Sequence, residues 1–177
     1  MNKTQKIVNS IVACLFIVGA ILYPLIAKSQ ADEEALIKSF QIHAAEELHC
    51  LAQNIYFEAR GSNFADKVAV ADVVINRKID RRYPDTICGV VQDGYIPGQR
   101  VCQFSWYCDG KSDTPVDLDH WHEAQSIAYS VLEFGEYRGI TEGATHYHAT
   151  YVDPFWASSL QMVGRIGAHI YYRWEEK

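Results

Sequence analysis

One carboxylate of this 177-residue chain stands where chemistry could use it. In "LAQNIYFEARG", Leu51 to Gly61, Glu58 interrupts an aromatic and apolar run that stops at a glycine. At helical spacing from Leu51, Ile55 falls at +4 and Glu58 at +7, so the carboxylate projects beside an apolar face and should be half-buried. Burial disfavours the ion and raises a carboxyl pKa. An acid still protonated near neutral pH is what cleavage of a glycosidic bond requires at the leaving oxygen. Spacing alone equally allows Glu58 to pair with Arg60 or Arg77 and merely tie down a helix end.

Histidines and cysteines offer other chemistry. His146 and His148 lie two apart in "ATHYHAT", hence on one face of a strand, and together with His169 they could hold zinc for an amidase; the alternative is hydrogen bonding within a strand pair. Cys50, Cys88, Cys102 and Cys108 contain no C-x2-C pair, and their spacings fit no familiar zinc knuckle. Two disulfides are expected instead. Three pairings exist, and the short separation of Cys102 and Cys108 around "QFSWY" favours that pair, leaving Cys50 for Cys88.

The elements that must position these groups can be read in outline. Leu48, Leu51, Ala52, Ile55 and Ala59 recur at helical spacing after the acidic "DEE" at 32–34, and Gly61 supplies a stop, so this helix delivers Glu58 on its last turn. Asn63 with Asp66 reads as a cap for a second helix, "KVAVADVVINRKI", apolar on most sides and therefore surrounded by core. Glycines and prolines punctuate 83–118, which reads as loops with short strands. Asp117 or Asp119 can cap a third helix with Trp121, Ala124, Ala128, Val131 and Leu132 on its apolar face, ending at Gly135. "ATHYHAT" and "AHIYYRW" then alternate like strands.

Residues 7–27 contain no charge, follow Lys3 and Lys6, and are long enough for a transmembrane helix or a signal segment; an uncleaved anchor is the preferred reading. Cys14 belongs to this segment. The expected organisation is residues 1–31 as anchor, a short linker near Gln30 to Glu34, and one domain over 32–177. All 22 acidic residues lie at or after Asp32, against 13 Lys and Arg there, a balance of −9 that argues against nucleic acid as a partner.

Several segments in order, "LAQNIYFEARG", "VAVADVVINRKIDRRYPDTICGVV", "CQFSWYCDGKSD" and "GATHYHATYVDPFWASSLQMVGRIGAHIYYR", resemble the SleB/CwlJ family of cell wall hydrolases from about Cys50 to Arg173. The resemblance implies an α+β fold, helix-rich and lysozyme- or lytic transglycosylase-like, with a small hairpin or sheet. It implies peptidoglycan glycan strands as substrate, cut between N-acetylmuramic acid and N-acetylglucosamine without a cofactor or metal. It carries the catalytic role onto Glu58, and a substrate cleft onto Tyr56, Gln103, Ser105, Trp106, Thr145, Tyr147 and His148. Strand alternation sends Tyr147 and His148 to opposite faces, so at most one of them enters the cleft, and core packing is the competing reading for Trp106 and Phe104. Where the family continues "EARGE", this chain has Ser62, so no second glutamate acts there.

Three mechanisms remain open at this level. A lytic transglycosylase needs one acid/base, a muramidase adding water needs a second carboxylate, for which Asp109, Asp113 and Glu142 are the candidates, and the zinc amidase needs the histidines. The expected placement is the inner membrane through the N-terminal helix, with the catalytic domain in the periplasm or cell wall space of a bacterium, or in a phage endolysin.

Overall fold

The computed structural model describes the backbone of residues 3–99 and 102–174, and the side chains of these except 4–8, 10–19, 21 and 25. Its elements in chain order are α1 (Lys3–Ala59), α2 (Phe64–Ile79), α3 (Ile87–Val91), α4 (Leu118–Phe134), β1 (His146–Ala149), β2 (Gln161–Ile166) and β3 (His169–Arg173), with 3-10 turns at Ser105–Cys108 and Ala157–Ser159. The chain divides into two compact units, 1–44 and 45–177.

In the first unit α1 runs without a break through 30–34, so the expected linker is helix. The transmembrane helix expected over residues 7–27 finds no support: among the described residues no helix is long and apolar enough to cross a membrane, and most side chains of that run lie outside them.

The second unit is built around α2, whose Val68, Ala69, Val70, Ala71, Val73 and Val74 are all buried. Residues 45–59 of α1 contribute Leu51, Ala52, Ile55 and Tyr56 to the main core, and α4 adds Ala124, Ile127, Ala128 and Val131. The caps fall where the side chains can make them. Asn63 accepts from the Asp66 amide, Asp117 accepts from the His120 amide, and Gly135 closes α4 in the left-handed conformation that glycine tolerates.

The region 83–118 departs from expectation: it holds a short helix and a 3-10 turn instead of strands. A buried carboxylate is the reason, because Glu47 accepts the backbone amides of Ile87 at 2.7 Å and Cys88 at 3.1 Å and so completes the first turn of α3. The Cys50–Cys88 disulfide ties the same helix to α1, and Cys102–Cys108 closes the loop around "QFSWY"; both pairings agree with expectation.

The three strands form an antiparallel sheet in the order β1-β3-β2. Tyr147 pairs with Tyr171 and Ala149 with His169, so these side chains share one face, while His146, His148, Ile170 and Tyr172 share the other. Sequence reading missed β2, whose alternation is broken by an irregularity between Met162 and Gly164.

Candidate active site

Glu58 lies half-buried on the last turn of α1, next to the Ile55 and Leu51 turn that fixes it. Burial pushes its carboxyl above the usual carboxylate range, and a hydrogen bond from the Tyr147 hydroxyl, then the charges of His169 and Arg77, offset only part of that rise. The Tyr147 hydroxyl donates to Oε2 at 3.0 Å. Burial drives the phenol itself well above its ordinary value, so at neutral pH it acts as a donor.

Tyr147 is held by what stands around it on the inner face of the sheet. Its ring is 5.6 Å from Tyr171 and meets the His169 ring edge-on at 5.2 Å. His169 in turn is fixed by Asp66, 1% exposed, whose Oδ1 lies 2.9 Å from Nδ1, while Oδ2 accepts the Ala168 amide at 2.8 Å. The β2–β3 turn therefore closes directly on a carboxylate. Gly167 makes room for it: a Cβ there would stand 2.3 Å from Asp66 Oδ2. Asp66 was legible only as part of a capping signal; its side chain serves the opposite end of the domain's sequence.

Neither arginine offered as an ion-pair partner takes Glu58. Arg60 donates to the Tyr56 hydroxyl at 3.2 Å and lies over that ring. Arg77, buried, donates through Nε to the Thr145 carbonyl at 2.7 Å and sits between the Tyr83 and Phe104 rings. With its amide turned so that the oxygen faces Arg77, Gln103 accepts from both terminal nitrogens at 3.2 Å. Arg77 thus acts on Glu58 through its charge and also holds Thr145, just before β1, and the "CQFSW" loop.

Of the seven residues expected to line a cleft, Tyr147 is the one hydrogen-bonded to Glu58. Tyr56 is fully buried, its hydroxyl accepting the Val116 and Asp117 amides at 3.2 and 3.0 Å, so it braces the entry to α4 instead of meeting a sugar. Trp106 belongs to the core as well, stacked on Phe57 at 4.7 Å with its indole N–H on Asn54 Oδ1 at 3.1 Å. Thr145 is buried beside His146 Nδ1. Gln103 and Ser105 are exposed on the loop. His148 lies on the outer face, stacked on Tyr172 with Nε2 3.0 Å from its hydroxyl, and does not enter the Glu58 side.

The same alternation dismantles the zinc site. His146 and His148 share the outer face, but His169 points to the inner one against Asp66, and among the described residues no group of three His, Cys, Asp or Glu could hold a metal. The candidate second carboxylates fare no better. Asp109 pairs with Lys111 at 3.2 Å, Asp113 is raised by burial and then by Asp109, and Glu142 is exposed on a left-handed turn. None is among the charges acting on Glu58, which come from His169 and Arg77.

The residues that sequence reading missed around Glu58 are Asp66 and His169, each singled out for another role, and the sheet register brings them here. Arg77, offered as an ion-pair partner, acts on Glu58 through its charge instead.

The family described as Cell Wall Hydrolase matches residues 61–172. Glu58 stands three residues before that stretch. A spore cortex-lytic enzyme of Halalkalibacterium halodurans is 27% identical over 147 residues, which is 81% of this chain and 40% of that protein. A spore cortex-lytic enzyme of Oceanobacillus iheyensis is 37% identical over 51 residues, 29% of this chain and 18% of its own. The chain thus spans less than half the length of these curated relatives. Two solved structures share the fold at 25% identity and 72% coverage of this chain: the catalytic domain of the Bacillus cereus SleB protein, with TM-score 0.53 and 89% of that domain covered, and the catalytic domain of the germination-specific lytic transglycosylase SleB from Bacillus anthracis, with 0.54 and 93%.

Proposed function

This chain belongs to the cell wall hydrolase family, and from that premise we propose that it cuts peptidoglycan glycan strands between N-acetylmuramic acid and N-acetylglucosamine as a lytic transglycosylase. The observation that carries the reading is the Glu58 carboxyl, raised by burial and hydrogen-bonded to Tyr147; among the described residues the charges that offset the rise are those of His169 and Arg77. Protonated Glu58 gives its proton to the glycosidic oxygen as the bond to the muramic C1 breaks. The resulting carboxylate, steadied by the Tyr147 hydroxyl and by the Arg77 and His169 charges, takes the proton of the muramic C6 hydroxyl. That oxygen closes on C1 to leave a 1,6-anhydro ring, and Glu58 regains its proton. No water enters the balance.

Hydrolysis to a reducing muramic end is the second reading. It needs a second carboxylate to activate water, and Asp113, raised by burial and Asp109, is the group to try first. Glu58→Gln keeps the shape of the side chain and removes the titratable proton. The expected loss in release of dye-labelled fragments from peptidoglycan is at least ~100-fold, the scale of acid catalysis. Near-normal release would end the assignment of Glu58.

Wall cleavage places the domain outside the cytoplasm, and the two disulfides suit such an oxidising compartment. Anchoring through residues 7–27 is a separate proposal that rests on their uncharged run. Recovery of the full chain in the alkaline carbonate supernatant of membranes would contradict it.

A further inference from the structure

Where the end of β3 meets the start of β2, Asp80, Arg82, Glu142, Gln161, Arg173 and Trp174 line an open cleft of about 690 Å³. It brings together the C-terminal end of α2, the first residue of β2 and the end of β3. Two guanidinium groups meet there in a chain whose net charge is −6.

Each guanidinium is held from behind. Arg82 donates Nε to Asp80 Oδ1 and Oδ2 at 2.8 and 3.0 Å, forms an ion pair with it through Nη2, and lies 4.9 Å over the Trp174 ring. Arg173 donates Nε to Gln161 Oε1 at 2.9 Å and Nη1 to the Glu142 carbonyl at 3.1 Å. Glu142 reaches that position on a left-handed turn, φ 49°, and its carboxylate is exposed at the rim. Arginines fixed in this way hold their remaining N–H groups in a planar array suited to carboxylates. Trp174, 41% exposed and braced edge-on by His146 at 5.4 Å, adds an apolar floor.

We propose that this cleft binds the short peptide carried by the muramic acid of the substrate: a carboxylate of the peptide on Arg82 and Arg173, a side-chain ammonium on Glu142, and its aliphatic stem on Trp174. The proposal rests on the wall-cleaving reading of Glu58. Sequence proximity links the cleft to the Glu58 side of the domain. Arg77, whose charge acts on Glu58, lies five residues before Arg82 at the same end of α2. A stem of three or four residues spans roughly 10–14 Å when extended.

The test titrates the full chain with free L-Ala-γ-D-Glu-diaminopimelate-D-Ala by calorimetry, and in parallel compares its cleavage of peptide-bearing and peptide-free glycan strands. The peptide should bind the parent chain. Arg173→Gln should weaken that binding, and lower the preference for peptide-bearing over peptide-free strands, by about tenfold. Arg82→Gln gives the same readouts should Arg173→Gln fail to fold. Absence of peptide binding, inorganic phosphate binding in its place, or an equal loss on both strand types would overturn the site. Failure of the parent chain to cut either strand would instead defeat the wall-cleaving reading, and the peptide titration would still decide the cleft.

Discussion

On the proposed mechanism Glu58 holds a proton at neutral pH and then surrenders it, and its surroundings act in both directions. Burial favours the acid, while the Tyr147 hydroxyl, His169 and Arg77 favour the ion. Tyr147→Phe removes the one direct hydrogen bond to the carboxylate, so the Glu58 pKa should rise further. The alkaline limb of the pH–rate profile should then move to higher pH while the maximal rate falls; an unmoved limb would remove Tyr147 from the account. Across the strand, burial and then the charges of Arg77 and Arg82 push His146 down to about 4. An unfolded imidazole takes its proton near 6.5. Between about pH 6.5 and 4 the unfolded chain therefore binds more protons, and stability should fall as the pH is lowered through that window. Urea midpoints at pH 7 and pH 5 should differ less in His146→Asn than in the parent chain. The half-burial of Glu58 was legible from its place beside Ile55 and Leu51, but its hydrogen bond was not, because Tyr147 reaches it only after the strands pair.

At the scale of elements, α2 is the part on which the site depends. Its first turn sends Asp66 to the β2–β3 turn, and its last turn sends Arg77 to Thr145, just before β1. Gly167→Ala tests the first link. The new methyl would collide with the Asp66 carboxylate at a position whose φ of +54° already disfavours side chains, so a loss of about 1–3 kcal/mol is expected in chemical denaturation. Asn63→Ala, which removes only the cap, should cost about 1 kcal/mol and leave the Asp66–His169 contact in place. A smaller loss for Gly167→Ala than for Asn63→Ala would contradict this view of the turn. Helices α2 and α4 were legible because periodicity and caps agreed. Helix α3 was not, since its amides are satisfied by Glu47, forty residues earlier. Trp106 reads as a sugar platform from its loop and as core from its contacts, since stacking on Phe57 and bonding to Asn54 are long-range facts.

Over the whole molecule, the chain shares the fold of SleB catalytic domains and belongs to the cell wall hydrolase family, and the proposed role of Glu58 bears on the kind of product. On the proposed mechanism Glu58 is the one acid/base at the scissile bond, and the nucleophile comes from the substrate itself. The most direct measurement is the mass of the unreduced fragments released when the full chain digests purified peptidoglycan. The account predicts fragments ending in 1,6-anhydromuramic acid. Reducing muramic ends, heavier by one water or about 18 mass units, would contradict it and send the search for a second carboxylate to Asp113.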